Sequence, residues 1–176
     1  MGRVEATVIV DVDLAVAFAV SQTQGPIRYR WDTFVRRQEL VDADRPAPGV
    51  RTVTRSRHGL RMVSEYTSFR PPTHVGMRMV EGPWFFRSFG GGWSFRALDD
   101  GRTQATWRYT FAVRPGWLSH AAEPIGRWLL QRDIDRRITG FASGCADPVV
   151  VAAATAPVRT EPKPAAGQEG RRQRST

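Results

Sequence analysis

Between Phe34 and Arg114 the chain falls into six short segments rich in β-branched and aromatic residues, each closed by a turn signal. This constrains the fold more than any other feature. The segments are Phe34–Asp42, Val50–Arg57, Met62–Arg70, His74–Glu81, Phe85–Leu98 and Thr103–Arg114. Pro46, Pro48 and Gly49 separate the first two, and His58-Gly59 makes a tight hairpin. Pro71-Pro72, Gly82-Pro83 and Asp99-Asp100-Gly101 punctuate the rest. Strands at such spacing, joined by hairpin turns, pair as an antiparallel meander.

The flanks complete the pattern. Arg3–Val10 reads as a first strand, and Asp13 can cap a short helix over Leu14–Ser21. Gly25-Pro26 breaks it, and a second short helix is expected over Ile27–Trp31. Pro115-Gly116 ends the last strand, after which Trp117–Cys145 reads as one long helix. Its apolar face changes sides midway. Leu118, Ala122, Ile125 and Leu129 share one face, whereas Leu130, Ile134, Ile138, Phe141 and Cys145 lie nearly opposite, at 3.6 residues per turn. The first half is expected to roof a cavity and the second half to seal the sheet. The run from Arg132 to Arg137, with Asp133 four residues before Arg137, reads as a solvated face.

From Asp147 onward no aromatic residue occurs, and the chain ends near Arg171-Arg172-Gln173-Arg174. Residues 1–146 are therefore expected to form one domain and 147–176 a disordered tail, with Val149–Ala154 at most docking weakly. The formal charge of +9 comes almost wholly from arginine, since Lys163 is the sole lysine. That balance bears on solubility and non-specific binding rather than fold. The arginines at 51, 55, 57 and 61 flank one hairpin and read as a solvated edge, so a nucleic-acid partner is not expected. Cys145 is the only cysteine, which excludes an internal disulfide and fits a cytoplasmic location. No apolar run is long enough to span a bilayer, and no export signal is visible. His58, His74 and His120 lack metal-ligand spacing, and no nucleophile elbow is present. Gly90-Gly91-Gly92 opens no helix, so it reads as a bend in the sheet rather than a phosphate cradle.

A strand, two short helices, six antiparallel strands and a long C-terminal helix make an α+β order that resembles the helix-grip superfamily (SRPBCC). That group includes START domains, the birch-pollen-allergen type, and the polyketide cyclase/dehydrase and lipid-transport family. The resemblance rests on the opening Val4–Val10 strand, the Glu65–Pro72 strand end, the Thr106–Phe111 strand, and the long helix with Pro124 near its start. It implies a curved sheet of about seven strands wrapped around the final helix, with an internal cavity. Such domains include cyclases, dehydratases, carriers and receptors, so fold does not fix function. Aromatase/cyclases of this type place an arginine at the end of the fourth strand, which Arg70 matches. They also tend to carry a tyrosine at the start of the second strand, where this chain has Phe34.

Alternation of strand faces gives the candidate wall. Ala105, Trp107, Tyr109, Phe111 and Val113 share the inward face of the last strand, and Val75, Met77 and Met79 that of the fifth. On the fourth strand, Met62, Ser64, Tyr66, Ser68 and Arg70 are expected inward. The expected ligand contacts are Trp31, Phe34, Met77, Trp84, Phe86, Trp93, Phe95, Trp107, Phe111, Ile125 and Leu129. Aromatic walls with a few polar groups characterise ligand pockets. The expected partner is a small hydrophobic or aromatic molecule, polyketide- or lipid-like, bound without metal or cofactor. If chemistry occurs, Arg70 would polarise a carbonyl and Tyr66 or Tyr109 would donate a proton. A non-catalytic carrier or sensor is the alternative, and a basic module for RNA or anionic lipid the third.

Overall fold

The computed structural model describes residues 1–114 and 119–156. The Pro115-Gly116 break, the expected helix start at Trp117 and Leu118, and the tail from 157 onward lie outside them. Seven antiparallel strands form one sheet: β1 (Gly2–Val10), β2 (Val35–Val41), β3 (Arg51–Ser56), β4 (Arg61–Arg70), β5 (His74–Glu81), β6 (Phe86–Ala97) and β7 (Thr103–Val113). The order is β1-β7-β6-β5-β4-β3-β2, so the meander runs unbroken from β2 to β7 and the first strand closes on the last. Helices α1 (Leu14–Ser21) and α2 (Gly25–Trp31) carry the chain from one sheet edge to the other. Asp13 caps α1 by accepting from the Val16 amide, and Pro26 stands in the first turn of α2, where a missing N–H costs nothing.

The long helix α3 (Ser119–Ala146) lies in the grip of the sheet. Its second half buries Ile134, Ile138, Phe141 and Cys145 against the concave face. Phe141 packs on Trp93, which stacks on Trp107 with ring centroids 4.1 Å apart. The first half behaves differently: Ile125, Trp128 and Leu129 stay exposed. Two glycines let α2 approach α3 closely. A Cβ on Gly140 would lie 2.2 Å from the Trp31 carbonyl oxygen, and one on Gly144 2.9 Å from the Trp31 side chain. The glycine run at 90–92 is paired continuously with β5 and β7. A Cβ on Gly92 would fall 2.0 Å from the Val75 carbonyl oxygen, so the run serves close backbone approach.

Two expectations need correction. The segment after Ala146 does not start as disordered chain: Pro148–Thr155 forms a fourth helix, α4. Asp147 caps it through the Val149 amide, and Val150 is fully buried, packed with the core. Proline in its first turn and a capping aspartate favour this helix despite the tail-like composition. The second correction concerns β4. Its pairing with β5 shifts register between Tyr66 and Ser68, leaving Thr67 as an extra residue. The bulge inverts the alternation, so Phe69, not Arg70, turns towards the core and meets the Phe18 and Tyr66 rings.

Candidate functional site

Two adjoining spaces lie between the sheet and the helices. The inner chamber measures about 110 Å³ and is walled by Tyr66, Val75, Met77, Trp93, Trp107 and the glycine run. The outer groove measures about 1140 Å³ and runs between the β5–β6 turn, the end of β7 and the first half of α3. Phe34, Phe89, Tyr109 and Arg137 border both spaces and form the partition between them.

The groove wall is apolar for local reasons. A register shift between Phe86 and Ser88 in β6 sets Phe86 and Phe89 on the same side, with ring centroids 5.1 Å apart. Phe89 in turn meets Tyr109 at 5.2 Å. Opposite them stand Ile125, Leu129 and Leu130 from α3. Trp84 stands at the rim, 80% exposed.

A buried ionic cluster forms the polar part of the partition. Asp32, just beyond α2, is wholly buried between two guanidiniums. Arg28 donates to it from Nε at 2.9 Å and also to the Ser21 carbonyl at 2.6 Å. Arg137 donates through Nε at 3.1 Å and Nη2 at 2.8 Å, a two-pronged contact. Its Nη1 donates to the Tyr109 hydroxyl at 2.6 Å, which leaves the phenolic proton available for donation. Both guanidiniums sit over the Trp107 ring, Arg137 at 4.1 Å and Arg28 at 5.8 Å, and Arg28 covers Trp31 at 4.1 Å.

The environment tunes these groups. Burial disfavours the charged form of Asp32, but Arg137 and Arg28 more than offset it and hold its pKa down at about 2. Burial raises the phenols of Tyr66 and Tyr109 above their ordinary value, so both are neutral donors near pH 7. Burial also raises the Asp133 carboxyl, against the pull of Arg137, whose Nη1 lies 4.0 Å away. Burial pushes the Cys145 thiol up to about 12, which removes it as a nucleophile at neutral pH. Among the described residues no cluster of three or more histidine, cysteine, aspartate or glutamate side chains could hold a metal ion.

The residues singled out from the sequence divide into three groups. Phe34, Met77, Tyr66, Tyr109, Trp93 and Trp107 border the inner chamber, and Phe34, Tyr109, Trp84, Phe86, Ile125 and Leu129 border the groove. Trp31, Phe95 and Phe111 are buried packing residues that border neither space. Trp31 instead donates from its indole to Thr23 and packs on Phe141. Arg70 is exposed and borders neither space, because of the β4 bulge. Sequence reasoning misses the Arg28–Asp32–Arg137 cluster. Arg137, expected on a solvated face, has only 11% of its side chain exposed. The available signal is its phase: it falls three residues after Ile134 and four before Phe141, inside the buried stripe.

A family model described as "Polyketide cyclase / dehydrase and lipid transport" matches residues 1–145. No curated protein sequence matches significantly. Among solved structures, a protein of Thermus thermophilus is 14% identical with a TM-score of 0.69, over 88% of this chain and 100% of that one. A START superfamily protein of Mycobacterium smegmatis is 11% identical with a TM-score of 0.65, over 82% and 97%. The Zhui aromatase/cyclase of Streptomyces sp. R1128 is 17% identical with a TM-score of 0.60, over 87% and 93%. At these identities the likeness is one of fold. Among the described residues no single helix is long and apolar enough to cross a membrane.

Proposed function

The chain belongs to the polyketide cyclase/dehydrase and lipid-transport family, and from that premise we propose that it binds a small hydrophobic or aromatic molecule, polyketide- or lipid-like, in the groove between sheet and α3. One observation carries this reading: a groove of about 1140 Å³ walled by Phe34, Phe86, Phe89, Ile125 and Leu129 ends on the polar partition of Tyr109 and Arg137. Apolar walls with a few convergent polar groups suit a ligand that is mostly carbon with one oxygenated end. The described structure favours holding over conversion. Arg70, the arginine matched to the cyclases, faces solvent, and Phe34 offers no hydroxyl.

The test is quenching of tryptophan fluorescence on titration with a linear polyketide mimic. Phe89→Glu and Leu129→Glu put charge on opposite walls and should each weaken binding by about tenfold or more. Undiminished affinity in both variants would overturn the placement of the ligand.

A second reading, conversion of the ligand by cyclisation or dehydration, draws on Asp133. Its raised carboxyl borders the groove beside Arg137 and the neutral Tyr109, a pairing suited to acid–base work. Mass spectrometry after prolonged incubation separates the two. Unchanged ligand supports a carrier or sensor, whereas a new product that disappears in Asp133→Asn supports an enzyme.

A further inference from the structure

The ionic cluster has one open edge. Arg28 is closed in by Asp32, the Ser21 carbonyl and the faces of Trp31 and Trp107. Arg137 commits Nε and one Nη2 hydrogen to Asp32, and one Nη1 hydrogen to Tyr109. A guanidinium carries five N–H groups, so one hydrogen on each terminal nitrogen is left without an acceptor among the described residues. Asp133, 4.0 Å from Nη1, is beyond hydrogen-bonding distance. Arg137 borders both the inner chamber and the groove.

The groove is also unbalanced in charge. Among the described residues, Arg114, Arg132, Arg136 and Arg137 border it together with His58, and Asp133 is the one acidic side chain there. Low-dielectric walls lined with one sign of charge concentrate the opposite sign. A neutral apolar ligand has no use for that field.

Resting on the binding role above, we propose that the ligand is an amphiphilic carboxylic acid. Its carboxylate sits on the terminal nitrogens of Arg137 at the partition, and its apolar body lies along Phe34, Phe86, Phe89 and Leu129. A planar, two-oxygen acceptor suits the N–H pair of a guanidinium better than a hydroxyl or ester does. Asp133 acts as an opposing charge, so it weakens rather than supports this contact. An uncharged ligand would be indifferent to Asp133.

The experiment compares dodecanoate with methyl dodecanoate in the unaltered protein at pH 7.5, by tryptophan fluorescence below the micellar concentration. The same comparison with 2-naphthoate and its methyl ester distinguishes an alkyl from an aryl acid. In at least one pair the acid should bind about tenfold more tightly than the ester. Arg137→Gln should reduce that ratio to near one, and Asp133→Asn should increase it. If Arg137→Gln does not fold, the unaltered protein and Asp133→Asn still decide. Esters binding as tightly as acids would overturn the carboxylate assignment and leave the groove reading standing. Failure of both acids and both esters to bind would overturn the two together.

Discussion

Asp32 is one carboxylate serving two buried guanidiniums. Converting it to asparagine keeps the shape but removes the carboxylate that Arg28 and Arg137 share. Loss of one partner from a buried ion pair costs about 3–5 kcal/mol, so Asp32→Asn should shift the urea midpoint strongly downward. The pH dependence has a defined sign. The folded pKa of about 2 lies below the ordinary 3.8, so the stabilisation is complete above about pH 4 and fades as pH falls towards 2. It amounts to about 2 kcal/mol. Acid unfolding followed by circular dichroism should lose this component in Asp32→Asn. Little of the cluster is legible in the sequence, because Asp32 and Arg137 meet across the whole meander. The phase of Arg137 within a buried stripe is the available clue. Arg70 shows the converse failure. Alternation locates a side chain only while register is unbroken, and the extra residue at Thr67 carries no sequence mark that distinguishes a bulge from a regular strand.

The contact between α2 and α3 depends on glycine. A methyl group at Gly140 would meet the Trp31 carbonyl oxygen at 2.2 Å, and backbone cannot swing aside as a side chain can. Gly140→Ala should therefore destabilise the protein by about 1–3 kcal/mol. Gly126 in the same helix supplies the control. Its nearest neighbour to an added Cβ is Phe111, at 3.9 Å, so Gly126→Ala should be neutral or stabilise by up to about 1 kcal/mol. Thermal melts in which Gly140→Ala lowers the midpoint and Gly126→Ala does not would establish that packing rather than helix propensity sets the effect. At this scale the sequence is most informative. Turn signals and period-two segments put the strands within a residue or so of their ends, since Pro, Gly and Asp are tied to backbone geometry. Helix α4 reads as a tail because Val149–Ala154 has no aromatic residue, yet Val150 alone finds a fully buried place.

The whole molecule is a sheet whose grip is dense at one end and open at the other. The stacked pair Trp93 and Trp107, with Phe141 tilted against Trp93, packs the closed end, and the groove beside the first half of α3 is left for a guest. A guest that binds only the folded form stabilises it by mass action. At a hundredfold excess over Kd the gain is about 2.7 kcal/mol, so the thermal midpoint should rise by about 5–10 °C for a domain of this size. An unchanged midpoint at saturation would mean that the molecule binds the unfolded chain as well. The architecture is legible as element order, but the emptiness of the groove is not, because volume depends on which rings pack and which stand apart. The strand order has one further consequence. Gly2 pairs with Phe111 and Val10 with Thr103, so the first strand to leave the ribosome must wait for almost the last. Local hairpins from β2 to β6 can close in sequence during synthesis, whereas β1 finds its edge only after β7 has emerged. Long loops closed late slow folding, and the interval in which β1 is unpaired is when a newly made chain would most depend on a chaperone.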